Sequence, residues 1–522
     1  MSFHTRSSRT RLDLAFCVVV LCLLGFQLFV PPVLSVANDH DFEKILGHEC
    51  LGPAATTNTP YFDYAVLRYV YDPEYCIEWP MHTTNEPVYW VARALDHLFY
   101  SKTDFDLRFM GIVYSLIFFA GFVTLQRALR ELPSKLAALA QLAWIVIVCN
   151  AVYVPLFNSL YFDALSIATL TGTLAALGSL ALRKEPAKAR EVLLAALWLA
   201  VFAGSKGQHA FMALLFIPLF WLGRNVITAR VVGTVAVLAG AWLSIGTMPK
   251  FYQGEATFNA LFYRILPTLK DPETYLSETS IPKSWSRYTG EVAFAEDVPL
   301  RDPAYEEQFG KWFGPVELIR LYVRHPSAAW LIARENLDEA SIDRVRIRMS
   351  GAPHRLSNYE ESQQHPPQAL SHFLTLWAAL KDSLFGGRPF AYAAFILGVI
   401  ACAWLLAPPG WPVRILLAAV TLSLAVEFAI CMLDGADGGR HLTLFCFLLD
   451  LLVCADVVFA VRFSSPSDAA PRGRQRTPAW NASALPASGP TACRALRITT
   501  SRRSGPMRNR PPPRCSGTLA AA

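Results

Sequence analysis

Apolar residues along this chain fall in long uninterrupted blocks, and charged residues collect in the segments between them. Several blocks approach or exceed the ~20 residues that an α-helix needs to cross a bilayer core. The blocks run over residues 14–36, 109–125, 136–157, 160–182, 192–203, 210–222, 231–248, 391–406, 415–432 and 442–461. This pattern predicts an all-α polytopic membrane protein with about ten transmembrane helices.

Charge between the blocks gives the expected orientation. Arg6, Arg9 and Arg11 precede the first block, and Arg127, Arg130, Lys135, Arg183, Lys184, Lys188, Arg190, Arg224, Arg230, Arg414 and Arg462 follow or separate later ones. Ten spans put nearly all of these on one side, which the positive-inside rule makes cytoplasmic. The first block is longer than the apolar core of a cleaved signal peptide and ends at Pro31-Pro32, so it reads as an uncleaved anchor. The blocks at 192–203 and 210–222 are each too short for a normal span. They are expected to be two helices meeting at a break near Lys206-Gly207-Gln208-His209, placing a lysine and a histidine at membrane depth.

Two polar regions, about 37–107 and 249–389, are expected to be structured loops on the extracytoplasmic side. Within the first, Val88, Val91, Ala92, Leu95, Leu98 and Phe99 share a helical face, with Arg93, Asp96 and His97 opposite, as in a helix lying on a surface. The second holds Trp285, Trp312 and Trp330, readable as sugar-stacking platforms or as core, and a stretch over 318–348 expected to be largely helical despite Pro326.

Composition sharpens this in three places. Apolar residues make up 53% of the chain against 17% charged, well outside the range of a soluble domain. The net charge of +6 is carried by a tail after Ser465 with ten arginines and one aspartate, leaving the rest slightly acidic. Residues 1–465 therefore read as a membrane domain and 466–522 as a basic, disordered tail facing the anionic cytoplasmic leaflet, with no nucleic-acid role. The Asn481-Ala482-Ser483 sequon in that tail has no access to glycosylation. The eleven cysteines form no metal-binding spacing; Cys50 and Cys76 share the first polar region and are either paired or free.

The candidate chemistry lies where acids and cations meet the ends of the apolar blocks. Asn38-Asp39-His40-Asp41-Phe42 follows the first block directly. Asn38 or Asp39 suits the cap of a short helix running to Gly47, which leaves at least one carboxylate for another task, such as a general base. The Asp-His-Asp spacing also has room for a divalent cation, on weak grounds. Lys206 and His209, with Arg440 and His441 at the start of the last block, offer cationic donors to a phosphate; the plainer reading is pairing with local acids such as Asp434 and Asp437. Tyr161 and Asp163 are placed to line the same cavity. Glu427, Asp450 and Asp456 are either a proton path or interhelical contacts, the second being favoured.

The arrangement resembles the GT-C glycosyltransferases, and among them the bacterial glycan-biosynthesis hexose transferases (WsfD-like). The resemblance rests on Asn38-Asp39-His40-Asp41-Phe42, Phe105-Asp106-Leu107-Arg108, Asn158-Ser159-Leu160-Tyr161, Lys206-Gly207-Gln208-His209, Phe262-Tyr263-Arg264-Ile265-Leu266-Pro267 and Gly439-Arg440-His441-Leu442. It implies a lipid-embedded bundle under an extracytoplasmic catalytic face in a bacterial plasma membrane, a polyprenyl-phosphate sugar donor, and a glycan or lipid-linked acceptor. It also implies that the acid after the first span, Asp41 with Asp39 in reserve, deprotonates the acceptor. Rival expectations are a transporter or flippase of lipid-linked sugars, with Asp450 and Asp456 coupling protons, and a ligase that moves a whole glycan.

Overall fold

The computed structural model describes residues 2–38, 41–54, 64–77, 81–183, 185–222, 226–248, 251–293, 295, 297–298, 303–341, 356, 373–433 and 438–464. Asp39, His40, Asp434, Asp437, the sequon and the tail from residue 466 lie outside the described residues. The protein is mostly helical, and seven helices are long and apolar enough to cross a membrane: Arg9–Phe29, Arg108–Glu131, Asp163–Leu182, Ile227–Gly246, Pro389–Leu406, Trp411–Leu433 and Arg440–Arg462.

In chain order the helices before the second polar region are α1 (Ser2–Phe29), α2 (Glu43–His48), α3 (Asn85–Phe99), α4 (Arg108–Ala128), α5 (Ser134–Val148), α6 (Asp163–Leu182), α7 (Ala189–Ser205), α8 (Gly207–Leu214) and α9 (Ile227–Gly246). Then come α10 (Phe251–Phe258), α11 (Pro272–Ser277), α12 (Pro303–Trp312), α13 (Pro315–Arg324) and α14 (Pro326–Ser341). The last four are α15 (Leu376–Phe385), α16 (Pro389–Leu406), α17 (Trp411–Leu433) and α18 (Gly438–Ser464).

The blocks at 136–157, 192–203 and 210–222 fall on shorter helices. Of these, α5 has 15 residues and α7 has 17, and α8 continues through a 3₁₀ turn at Ile217–Trp221. The expected break between α7 and α8 is one residue wide. Lys206 is extended, with φ −156° and ψ 138°, between helices ending at Ser205 and starting at Gly207. Helices α7 and α9 approach closely through small residues, as membrane helices do. At Gly240 a Cβ would collide with the Ala200 carbonyl of α7.

Two expectations need correcting. The first block does not continue as helix to Val36: α1 stops at Phe29 ahead of Pro31-Pro32, and Val33–Ala37 is buried non-helical chain. The stretch 318–348 is largely helical through residue 341 as expected, with Pro326 starting α14 after a non-helical His325, and residues 342–348 lie outside the described residues. The faces of α3 are also not as drawn. Val88, Tyr89, Ala92 and Asp96 are buried, whereas Val91, Leu98 and Phe99 are among its most exposed residues. Asp96 turns inward because its Oδ1 accepts the Asp106 backbone N–H at 3.1 Å.

That bond ties α3 to a three-stranded antiparallel sheet that the sequence pattern did not reveal. Strands β1 (Leu51–Pro53), β2 (Arg68–Tyr71) and β3 (Asp104–Asp106) pair in that order, with Leu51 opposite Tyr71 and Arg68 opposite Asp106. Cys50 and Cys76 are disulfide-bonded beside it. The second polar region has its own apolar cluster, in which Trp285 stacks on Phe309 with centroids 5.8 Å apart. Trp330 is half exposed and lies against Phe390, so only Trp285 is a fully core tryptophan of the three.

Candidate functional site

The chain reaches the site along a tightly held strand after α1. The Asn158 Nδ2 donates to the carbonyls of Leu28 at 3.0 Å and Leu34 at 2.8 Å, and its own carbonyl accepts from Ser35 Oγ at 2.5 Å. The Tyr161 hydroxyl donates to the Ala37 carbonyl at 3.0 Å. Asn158-Ser159-Leu160-Tyr161 therefore acts mainly as a clamp that fixes where residues 38–42 emerge.

Asn38 braces the start of α2 without capping it, Phe42 being the N-cap residue with no side-chain bond to the cap. Its Oδ1 accepts the Phe42 N–H at 3.1 Å and its Nδ2 donates to Glu43 at 2.9 Å, securing the first turn of α2. Asp41 does not cap α2 either. Its carboxylate takes Lys44 Nζ at 2.5 Å on one oxygen and forms an ion pair with Arg440 on the other. Arg440, at the start of α18, is buried, and its guanidinium lies 5.0 Å from the centroid of the Tyr161 ring. Phe42 packs edge-on against that ring at 4.7 Å.

Burial of Asp41 acts to raise its carboxyl, but the charges of Arg440, Lys44 and Lys206 outweigh it and hold the group well below the usual carboxylate range. Asp41 is thus ionised at every physiological pH. Lys44 is a site residue that sequence reasoning passed over, although its spacing three residues after Asp41 on a helical turn is a readable signal.

Lys206 sits beside this pair, at the break between α7 and α8, and donates to both oxygens of Asp163 at 3.0 and 3.1 Å. Asp163 opens α6 and also lies within electrostatic reach of Arg440, His209 and His441. His441 is 3.2 Å from Gln208 Nε2. His209 faces away from the surface. Its Nδ1 meets Ser166 Oγ at 2.6 Å, its ring stacks on Phe202 at 5.6 Å, and its Nε2 lies 3.8 Å from Glu427. The structure therefore brings Asp41, Arg440, Tyr161, Lys206, Asp163 and His441 into one cluster and sets His209 behind it.

Asp450 is not a free proton carrier. It accepts Lys381 Nζ at 3.0 and 3.1 Å and the Tyr153 hydroxyl at 2.6 Å, all buried, which makes it an interhelical contact between α15 and α18. Asp456 is partly buried nearer the other end of α18 and joins no site residue in the described structure. Among the described residues no three histidine, cysteine or acidic side chains converge as metal ligands. Phe105-Asp106-Leu107-Arg108 and Phe262–Pro267 are structural where they stand. Asp106 binds Arg108 through Nε at 3.0 Å, and Arg264 bonds Asn336 at 2.9 Å from a π-helical turn.

The model of the YfdI N-terminal transmembrane domain family matches residues 4–473, which includes every site residue named above. The chain belongs to this family. The family description is of a transmembrane domain, and the seven helices long and apolar enough to cross a membrane make this a multi-pass membrane protein. No curated protein and no solved structure matches the chain.

Proposed function

We propose that this family member is a GT-C-type hexosyltransferase that moves a sugar from a polyprenyl phosphate to a glycan or lipid-linked acceptor on the extracytoplasmic face. The observation that carries the reading is the ion pair of Asp41 with Arg440, set beside Lys206 and Asp163 where several membrane helices end at the first polar region. An ionised acid next to paired cations is what such a transfer needs. Asp41 accepts the proton of the acceptor hydroxyl, the acceptor oxygen bonds to the anomeric carbon, and the bond from that carbon to the phosphate oxygen breaks. Its electron pair leaves with the polyprenyl phosphate, and the configuration inverts.

Arg440 and Lys206 neutralise the departing phosphate, an electrostatic contribution that is largest in a water-poor site. The same pairing makes Asp41 a weak base while the site is empty. A donor phosphate that draws the Arg440 guanidinium onto itself returns basicity to Asp41, so donor binding prepares the base. The disulfide between Cys50 and Cys76 supports an oxidising compartment for this face. Together with the arginine-rich segments at the other helix ends, it favours a bacterial plasma-membrane protein with cytoplasmic termini.

The test is incubation of purified protein with a panel of polyprenyl-phosphate hexoses, following release of polyprenyl phosphate. Release with wild type and none with Asp41→Asn is expected. Wild-type turnover in the variant, or no release from any donor, overturns the reading.

A further inference from the structure

A cleft in the second polar region has a composition that the transfer site does not account for. It holds a volume of about 320 Å³ between the end of α11, the end of α12 and the length of α13. Trp312, Lys311, Arg320, Arg324, Glu278 and Glu317 line it, with Thr279, Ser280, Phe313 and Leu321 completing the wall.

Both acids are already paired, Glu317 with a cation of the cleft itself. Glu278 binds His325 at 2.8 Å, and Glu317 caps α13 by accepting the Gly314 N–H at 3.2 Å while meeting Arg320 at 3.1 Å. Arg324 has no ion-pair partner among the described residues. Trp312 is held edge-on to Trp285 at 5.6 Å, which orients a rigid indole at the wall. Arg324 is therefore the cation that the cleft offers a ligand, with an aromatic platform on one side and hydroxyls on another.

Its position matters as well. Two residues before Arg324, the Tyr322 hydroxyl donates to the Met432 carbonyl at 2.7 Å, fixing α13 to the end of α17. In chain order, α17 is followed by α18, which carries Arg440 near its start.

We infer that this cleft binds an acidic carbohydrate, with the sugar ring against Trp312, its anionic group on Arg324, and its hydroxyls on Thr279 and Ser280. Resting on the proposed transferase reading, it is the subsite that holds the acceptor glycan beside the transfer centre. A planar guanidinium takes carboxylate or phosphate through two parallel hydrogen bonds, and an aromatic face suits a sugar ring better than a flexible chain. That combination favours a carbohydrate over a peptide.

The test is a binding titration on full-length protein in detergent, using oligogalacturonate as the acidic probe, maltohexaose as the neutral one and inorganic phosphate as the bare anion. Oligogalacturonate alone is expected to bind. Arg324→Gln, an exposed change that leaves packing intact, should weaken it on the order of tenfold, the loss of one charged hydrogen-bonded contact. Trp312→Phe should weaken it less. Equal binding of maltohexaose, full competition by phosphate, or unchanged affinity in Arg324→Gln overturns the proposal.

Asp41→Asn separates this from the transferase reading. The variant should bind oligogalacturonate as wild type does while releasing no polyprenyl phosphate. Binding with undiminished transfer sinks the base assignment and leaves the cleft standing. Lost transfer in a protein that binds no oligosaccharide does the reverse.

Discussion

Asp41 and Arg440 come from opposite ends of the membrane domain and form an ion pair over the ring of Tyr161. The pair fixes the ionisation of Asp41, and its consequences can be measured. Arg440 is one of the charges that depress the Asp41 carboxyl, so removing it must raise that carboxyl toward its ordinary range. Arg440→Gln is expected to lower the transfer rate on the order of 10²–10³-fold, the usual loss for a donor to developing charge. The acidic limb of its pH–rate profile should also move to higher pH. A rate loss with an unmoved limb would mean that Arg440 serves the phosphate alone and does not govern the base.

Lys206 and Asp163 form the second pair of the cluster, almost fully buried. Removing one partner leaves the other as an uncompensated charge, at a cost of ~3–5 kcal/mol. Lys206→Met and Asp163→Leu should each lower the unfolding temperature in detergent clearly, and the double variant should recover most of it. Transfer should not recover with folding, because Lys206 is needed for the phosphate. A double variant that turns over normally would reduce the pair to a structural contact.

Much of this fold was legible because a bilayer imposes one rule, that polar backbone must be satisfied within a helix, and apolar blocks record it. The break at Lys206 was readable for the same reason, since neither half-block was long enough alone. The strands of the first polar region were not, being three or four residues long and set by a disulfide and by the Asp96 contact rather than by alternation. In the site, the acids and cations stood out as charges at block ends, but their pairing did not. Lys206 chooses Asp163 and Arg440 chooses Asp41 through contacts between segments far apart in sequence. The inward turn of His209 was equally hidden, because a one-residue break leaves the rotation of the next helix to packing against Phe202 and Ser166.

The disulfide gives a third prediction. It joins the residue just before β1 to the chain beyond β2, and Cys50 itself takes a left-handed backbone with φ 55°. Closing a loop of this size contributes ~3 kcal/mol in the chain-entropy view. Because α2 also carries Lys44 and follows Asp41 directly, loosening it should reach the site. A Cys50→Ser, Cys76→Ser double variant is expected to show faster proteolysis in the first polar region and reduced transfer. Wild-type protein should resist alkylation at both positions until reductant is added. Ready alkylation without reductant would place this face in a reducing compartment.

Asp96 offers a test of the first polar region independent of transfer. Burial, with Asp106 and Asp104 nearby, pushes its carboxyl up to about 6, the Asp106 N–H only partly opposing them. One of its oxygens, Oδ2, is buried without a hydrogen-bond partner in the structure. The folded state therefore binds a proton more tightly than the unfolded chain, whose aspartate titrates near ~3.9. With the folded value raised, stability is greatest below the unfolded value and falls as pH rises through the interval up to about 6. Asp96→Asn keeps the acceptor for the Asp106 N–H and removes the charge. It should flatten that part of the stability profile and stabilise the region above the interval by about 1–2 kcal/mol, after the cost of burying an amide donor. The check is the apparent unfolding temperature of wild type and variant across that pH range. Parallel profiles would show that Asp96 is not the group responsible.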